Sequence, residues 1–171
     1  MPTTQSNVSS TRRKSSAARP LDAIELLTND HKSVKALFVR FNKLAKSDAP
    51  AGELQALADT ICEMLSVHAQ IEEEILYPAA RAVLPEENLV DEATVEHASA
   101  KDLIAQIRSM RSTDELFDAK VKVLGEYIDH HVKEEQDEMF PKLRRRLDVK
   151  TIGAELLARK EELMVGSAST H

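Results

Sequence analysis

The sequence predicts an all-α protein, folded as an antiparallel up-down four-helix bundle with a short C-terminal fifth helix. Only four glycines occur among 171 residues, and the long segments are rich in Ala, Leu, Glu, Lys and Ile, which favours helix over sheet. Four of these segments repeat apolar residues every three or four positions, which is the period of an amphipathic helix. The links between them are short, and short links place consecutive helices side by side in opposite directions.

The first two helices follow from residue 21. The inward stripe of the first is Ile24, Leu27, His31, Val34, Phe38 and Phe41. A break over residues 46–52, which includes Pro50, precedes a second helix that begins at about Glu53. The stripe of the second is Leu57, Ile61, Leu65, His68, Glu72 and Ile75. We expect Pro78 to kink or end this helix, because proline lacks an amide hydrogen and its ring clashes with the preceding turn.

Three further helices are predicted after Pro85. The stripe of the third is Val90, Ala93, His97, Ala100, Ile104 and Ile107. Residues 112–115 predict a capped turn before the fourth helix, which runs to Pro141. The stripe of the fourth is Leu116, Val123, Tyr127, His131, Glu135 and Met139. A shorter fifth helix is expected near residues 151–164, ahead of a small polar tail.

The chain is divided into three parts: a disordered basic tail (1–20), the bundle (21–147), and a C-terminal helix and tail (148–171). The tail carries four positive charges, from Arg12, Arg13, Lys14 and Arg19, and no acidic residue. The overall net charge of −6 therefore leaves −10 for residues 21–171. Because nucleic-acid affinity comes mainly from basic contacts with phosphates, we expect no nucleic-acid partner.

Compartment and assembly are predicted from what the sequence contains. Its apolar runs are far shorter than a membrane span, and no apolar segment follows the basic N-terminus as in a secretory signal. The single cysteine, Cys62, fits a reducing compartment. We therefore expect a cytoplasmic protein with no membrane association, either a monomer or a weak homo-oligomer.

A weak internal repeat relates the second and fourth helices. Residues 63–84 and 126–147 align without gaps. The matched pairs are Glu63/Glu126, His68/His131, Glu72/Glu135, Pro78/Pro141, Arg81/Arg144 and Leu84/Leu147. The alignment selects His131 and Glu135 as the counterparts of His68 and Glu72, in preference to the neighbouring pair His130 and Glu134. The repeat therefore predicts that the bundle consists of two similar helical hairpins.

Polar residues occupy stripe positions that should be apolar. Each helix carries one histidine there, and the second and fourth add a glutamate four residues later, on the same face. Burying two carboxylates costs several kcal/mol or more unless positive charge neutralises them. The sequence therefore predicts a metal site, and its six candidate ligands are His31, His68, Glu72, His97, His131 and Glu135. Six ligands suit two metals that share carboxylates, with iron preferred and manganese or zinc as alternatives.

Several other residues are weaker candidates for a role at the metal site. Tyr127 lies one turn before His131 and could reach the metal or a bound ligand, although a core role is favoured. Lys101 lies one turn beyond His97; a side chain that extends along the surface to water is favoured for it, and steering of an anionic ligand is the alternative. Glu73, Glu74 and Glu96 are expected to be solvated or to orient ligating imidazoles. Tyr77 and Cys62 are expected to be packing residues. No catalytic residue is assigned.

The motifs resemble the haemerythrin-like, or HHE cation-binding, domain family. The matching stretches are Asn29-Asp30-His31, the run from His68 through Glu72 to Tyr77-Pro78, Val95-Glu96-His97, and the run from His130-His131 through Glu135 to Phe140-Pro141. The resemblance covers about residues 21–147. It implies a four-helix bundle around a non-haem di-iron centre, in which the four histidines are terminal ligands and Glu72 and Glu135 are bridging ligands.

Two departures from the oxygen-carrying members bear on function. Lys101 stands where those proteins have a fifth histidine, and Gln136 stands at the position of their last-helix aspartate. A more open metal centre suits binding of, or reaction with, dioxygen, nitric oxide or peroxide, in oxidative or nitrosative stress or an oxygen response. The alternative is an iron or oxygen sensor, or an iron store or donor, that acts through a partner. Whether the centre turns over as an enzyme is left open.

Overall fold

All regular structure in the computed structural model is helical, and the model describes residues 18–85 and 88–169. Over these residues the chain forms five long helical rods, two of which contain a π-helical turn. In chain order the elements are α1 (Ala23–Ala45), α2 (Ala51–Ile71), π1 (Glu72–Leu76), α3 (Tyr77–Val83), α4 (Leu89–Arg108), α5 (Phe117–Glu134), π2 (Glu135–Met139), α6 (Phe140–Arg146) and α7 (Val149–Ala168). The predicted all-α bundle is confirmed. Residues 1–17 of the predicted basic tail lie outside the described residues.

Side-chain caps fix where the first and last helices begin. Asp22 accepts a hydrogen bond from the Glu25 amide at 2.9 Å, and the Glu25 carboxylate accepts one from the Asp22 amide at 3.0 Å. This reciprocal capping box satisfies two amides that a helix start otherwise leaves without partners. Asp148 caps α7 in a simpler way, by accepting from the amide of Thr151.

Each π turn allows its helix to continue past the proline that follows it. The amide of Tyr77 donates to the carbonyl of Glu72, five residues back, and the amide of Phe140 donates likewise to Glu135. This wider turn immediately precedes Pro78 and Pro141, where an amide hydrogen is missing. Of the two outcomes expected at Pro78, a kink or an end of the helix, the end is wrong, because α3 continues to Val83.

Two clusters of buried apolar residues lie along the bundle, one on each side of the predicted metal site. One packs around Leu27, Leu76 and Met139, and the other around Phe41 and Phe117. In each of the four rods that carry a candidate ligand histidine, that histidine lies between residues of one cluster and residues of the other. The predicted stripes of the first and third helices are buried throughout. The bundle thus encloses four imidazoles between two apolar layers.

The fourth stripe was predicted correctly from His131 to Met139 but one position out of register before His131. Val121 and Leu124 are buried, whereas Leu116 and Tyr127 are 61% and 48% exposed. Before His131 the residues that face the interior are Ile128, three positions earlier, and Leu124, four positions before Ile128. Tyr127 therefore points outward. This difference removes Tyr127 from the interior.

The fifth helix, α7, is longer than expected and packs along the bundle. Leu156 is fully buried in the cluster around Leu27. A Cβ at Gly153 would lie 2.6 Å from the Ala23 amide nitrogen and 2.8 Å from the Leu21 carbonyl oxygen. Only glycine therefore permits α7 to approach the start of α1 so closely. Within the described ranges, no helix is both long and apolar enough to cross a membrane.

Candidate metal centre

Six histidine and glutamate side chains from six elements meet at the centre of the bundle. The six are His31 of α1, His68 of α2, Glu72 of π1, His97 of α4, His131 of α5 and Glu135 of π2, and all are buried. Both glutamates are the first residue of a π turn. These are the six residues predicted from the sequence, and the fold brings them together.

One half of the centre is formed by His31 and His68, whose Nε2 atoms lie 3.1 Å apart. Glu72 Oε1 lies 3.0 Å from His68 Nε2, and Glu135 Oε2 lies 3.3 Å from His31 Nε2. Four potential donor atoms, two nitrogens and two oxygens, therefore converge within 4.8 Å of one another.

The other half is formed by His97 and His131, whose Nε2 atoms are also 3.1 Å apart. Glu72 Oε2 lies 3.2 Å from His97 Nε2, and Glu135 Oε1 lies 3.4 Å from His131 Nε2. Each carboxylate thus directs one oxygen to each histidine pair. This arrangement gives two adjacent donor sets joined by two carboxylates.

The outward nitrogen of every imidazole faces an oxygen acceptor. The Nδ1 contacts are His31 with Gln136 Oε1 at 2.9 Å, His68 with Asp30 Oδ2 at 3.2 Å, His97 with Glu73 Oε1 at 2.9 Å, and His131 with Glu96 Oε2 at 2.7 Å. An acceptor at Nδ1 places the ring proton there and leaves the Nε2 lone pair directed inward. In their neutral form all four rings would therefore direct an Nε2 lone pair at the centre, where a metal ion could replace any proton they carry.

The Nε2 atoms that face one another and the buried carboxylate oxygens need positive charge between them to be stable. Within the described part of the chain, the buried oxygens Glu72 Oε1 and Glu135 Oε2 receive no hydrogen bond. Burial alone would raise the pKa of Glu72, but the charge of His68 holds that pKa well below its usual range. Burial also opposes protonation of His68, yet the charge of Glu72 and the hydrogen bond with Asp30 raise the pKa of His68 to about 10. A cation bound between the rings would meet the same demand.

Tyr77 belongs to the centre, which sequence reasoning missed. Its hydroxyl lies 3.0 Å from His97 Nε2 and donates to Glu135 Oε1 at 2.9 Å. Burial, followed by the charges of Glu72 and Glu135, raises the pKa of Tyr77 well above its usual value. The π turn explains the omission, because it adds one residue and brings position i+5 from Glu72 onto the inward face. Tyr127 is half exposed, so the core role favoured for it is wrong and so is the alternative that it reaches the centre.

The remaining candidates lie around the centre. Lys101 is an exposed residue that pairs with Glu73, so it contacts His97 only through that carboxylate. Glu74 pairs with Arg159 of α7. Cys62 is buried, and burial raises the pKa of its thiol to about 11, in keeping with a packing role. His130 is 66% exposed and pairs with Glu134 outside the bundle.

A helical bundle with histidines and glutamates directed at its centre defines a class of cation-binding domain. Residues 22–143 match the family described as hemerythrin HHE cation binding domain, and the chain belongs to that family. The resemblance inferred from the motifs is therefore confirmed.

Two further similarities accompany the family match. A crystal structure of a hemerythrin HHE cation binding domain-containing protein from Mycobacterium kansasii superimposes with a TM-score of 0.72 and 22% identity, covering 87% of this chain and 91% of that one. A curated protein of Nostoc sp. described as a DNA nickase is 29% identical over 123 residues, which is 72% of this chain. The chain spans 34% of the length of that relative.

Proposed function

We propose that the chain holds two metal ions, iron in preference to manganese or zinc, as a carboxylate-bridged pair that binds or reacts with dioxygen, nitric oxide or peroxide. The single observation that carries the proposal is the placement of Glu72 and Glu135, each with one oxygen beside each histidine pair. His31 and His68 would be the terminal ligands of one ion, and His97 and His131 those of the other.

The donor set fits such a pair of ions. The oxygens without hydrogen-bond donors, Glu72 Oε1 and Glu135 Oε2, both lie beside His31 and His68, and a cation there would satisfy them together with two ring lone pairs. Mixed imidazole and carboxylate ligands suit iron, manganese and zinc. The outer acceptors at Nδ1 would hold each ring in the ligating tautomer.

The chemistry divides between the metal and the chain. When bound, the ions would supply a Lewis-acidic and, for iron, redox-active site for a small oxygen or nitrogen ligand. The chain's own residues enclose this site between two apolar layers and hold a hydroxyl proton on Tyr77, between His97 and Glu135. Lys101, at the position of the oxygen carriers' fifth histidine, is paired with Glu73 at the surface, which favours a more open centre.

The proposal is tested by anaerobic loading with ferrous iron followed by separate additions of air, nitric oxide and hydrogen peroxide. We expect near-ultraviolet absorption to appear in air, and spectral changes or consumption with at least one of the other two. A loaded protein whose spectrum responds to none of the three would contradict the proposed reactivity. Loss of peroxide at a rate that scales with protein concentration would identify turnover.

A sensor or iron donor that acts through a partner is the second candidate, and one set of contacts favours it. Lys160 of α7 binds Asp30, and Asp30 accepts from His68 Nδ1. These contacts connect a candidate ligand with a helix beyond the matched family region. If the chain is a sensor, iron loading should change amide hydrogen exchange in α7. Identical exchange in α7 with and without iron would favour the reactive centre alone.

We do not propose DNA nicking for this chain. The matched segment accounts for 34% of the Nostoc relative, and this chain's net charge of −6 disfavours phosphate binding. We expect no shift of labelled duplex DNA by the full chain at low salt. The cytoplasmic location, the three-part division of the chain and the monomer or weak homo-oligomer state stay predictions.

A further inference from the structure

An apolar chamber lies against the four imidazoles, on the side away from the carboxylates. All four site histidines line it, whereas Glu72 and Glu135 do not. On α2 and α5 the glutamates follow their histidines by one turn, but the chamber residues Leu65 and Ile128 precede them. The chamber therefore opens onto the face of the imidazoles opposite the bridging carboxylates.

The wall of the chamber is aliphatic. Beyond the imidazoles it is formed mainly by Val34, Leu65, Ala100, Ile104, Ile128 and Val132. These side chains offer no hydrogen bonds, and water needs several polar partners to occupy a cavity. The surface that faces an incoming molecule is therefore suited to an apolar group.

The size of the chamber exceeds what a diatomic ligand needs. Its volume is about 190 Å³. An apolar cavity of about 150 Å³ in another protein stays dry and accepts benzene or xenon. The chamber consequently has room for a molecule with a single aromatic ring or a branched alkyl group of similar bulk.

The lining of the chamber also contains two thioethers and two ammonium groups. Met64 and Met164 line it, and Met164 is 52% exposed. Methionine side chains are flexible and polarisable, so they form an adaptable apolar part of the wall. Lys101 and Lys160 also line the chamber and are paired with Glu73 and Asp30 respectively. An apolar body in the chamber would therefore not lie against an unpaired ammonium group.

We propose that this chamber binds a small apolar organic group, of about the size of one aromatic ring, beside the metal-facing imidazoles. Binding needs only the chamber, so it goes beyond the proposed metal function. If the centre consumes peroxide, the chamber indicates an organic hydroperoxide with an aryl or branched alkyl body as the class of substrate. That last step rests on the proposed function.

The test uses benzene as the probe and the purified full chain, with and without added ferrous iron. Calorimetric titration should give about one benzene per chain. At ten times the dissociation constant, benzene should raise the melting temperature by about 3–6 °C. The substitution Ala100→Leu fills the chamber and should abolish both signals. The control Ala105→Leu places the same side chain on the exposed face of the same helix and should retain them.

A smaller substitution keeps the test decisive if Ala100→Leu does not fold. Ala100→Val should weaken benzene binding at least several-fold. The proposal is overturned if wild type binds no benzene, or if the Ala100 variants bind it as tightly as wild type. The outcome is separable from the metal proposal, because a protein that takes up no iron should still bind benzene.

Discussion

Tyr77 and Phe140 occupy equivalent positions in the two halves of the bundle, each directly after a π turn, but only Tyr77 brings a hydroxyl to the centre. Phe140 instead stacks on His31, with ring centroids 5.9 Å apart and an interplanar angle of 5°. The two donor sets are therefore chemically unequal despite the internal repeat. The half formed by His97 and His131 has a hydrogen-bond donor, and the half formed by His31 and His68 has an apolar ring.

Replacing Tyr77 with phenylalanine should make the two halves more alike. Loss of its hydrogen bond to the Glu135 carboxylate should lower the free energy of unfolding of the metal-free protein by about 1–3 kcal/mol. The absorption spectrum of the iron-loaded protein should also change. Urea unfolding and spectra check both effects, with Tyr127→Phe as the control on an exposed tyrosine. Equal effects of the two substitutions would contradict a role for Tyr77 at the centre.

Removing one site imidazole should cost one metal ion. His97→Ala deletes half of a donor set and should reduce bound iron from about two ions per chain to about one. His130→Ala removes an exposed histidine one residue from His131 and should bind as much iron as wild type. Metal analysis after desalting compares the three proteins. Full retention of iron by the His97 variant would show that this ring is not a ligand.

The carboxylate behind an imidazole should influence metal affinity without touching the metal. Glu96 accepts from His131 Nδ1 at 2.7 Å, so Glu96→Ala frees that ring to change tautomer. We expect metal affinity to fall by about 10–100-fold. Glu92→Ala, one turn away on the exposed face of α4, is the matched control. Competition with a coloured chelator measures both affinities, and a drop shared by both variants would indicate only a general charge effect.

Gly153 should be essential for docking α7. In Gly153→Ala the added methyl would meet the backbone of Leu21 and Ala23, which cannot move aside as a side chain can. We expect a loss of about 1–3 kcal/mol in the free energy of unfolding. Gly166→Ala lies on the same helix, where a Cβ meets nothing within 4 Å, and should be neutral or slightly stabilising. Thermal unfolding that ranks the two variants equally would contradict this packing.

Hydrophobic periodicity predicted the helices and the six central residues because both depend on local spacing. The stripe from Ile24 to Phe41 is buried as expected, and His31 lies within it. Periodicity failed in α5 before His131, where the stripe was placed one residue early, and where the backbone leaves the α-helical repeat. The π turn at Glu72–Leu76 shifts the register by one residue, so Tyr77 points inward although an unbroken α-helix would turn it aside.

Long-range contacts were the other part that the sequence could not supply. Nothing local indicates that Asp30 lies between His68 and Lys160, because these three residues are far apart in the chain. The close approach at Gly153 likewise depends on the path of α7 across the bundle. Pairing of distant elements determines these contacts, and a single sequence carries no direct signal for it.

The central claim, two metal ions joined by two carboxylates, is tested most directly by counting ions in an anaerobic titration of the metal-free chain with ferrous iron. The arrangement of Glu72 and Glu135 predicts saturation at about two ions per chain. Saturation at about one ion, or no uptake of iron at all, would contradict the paired centre.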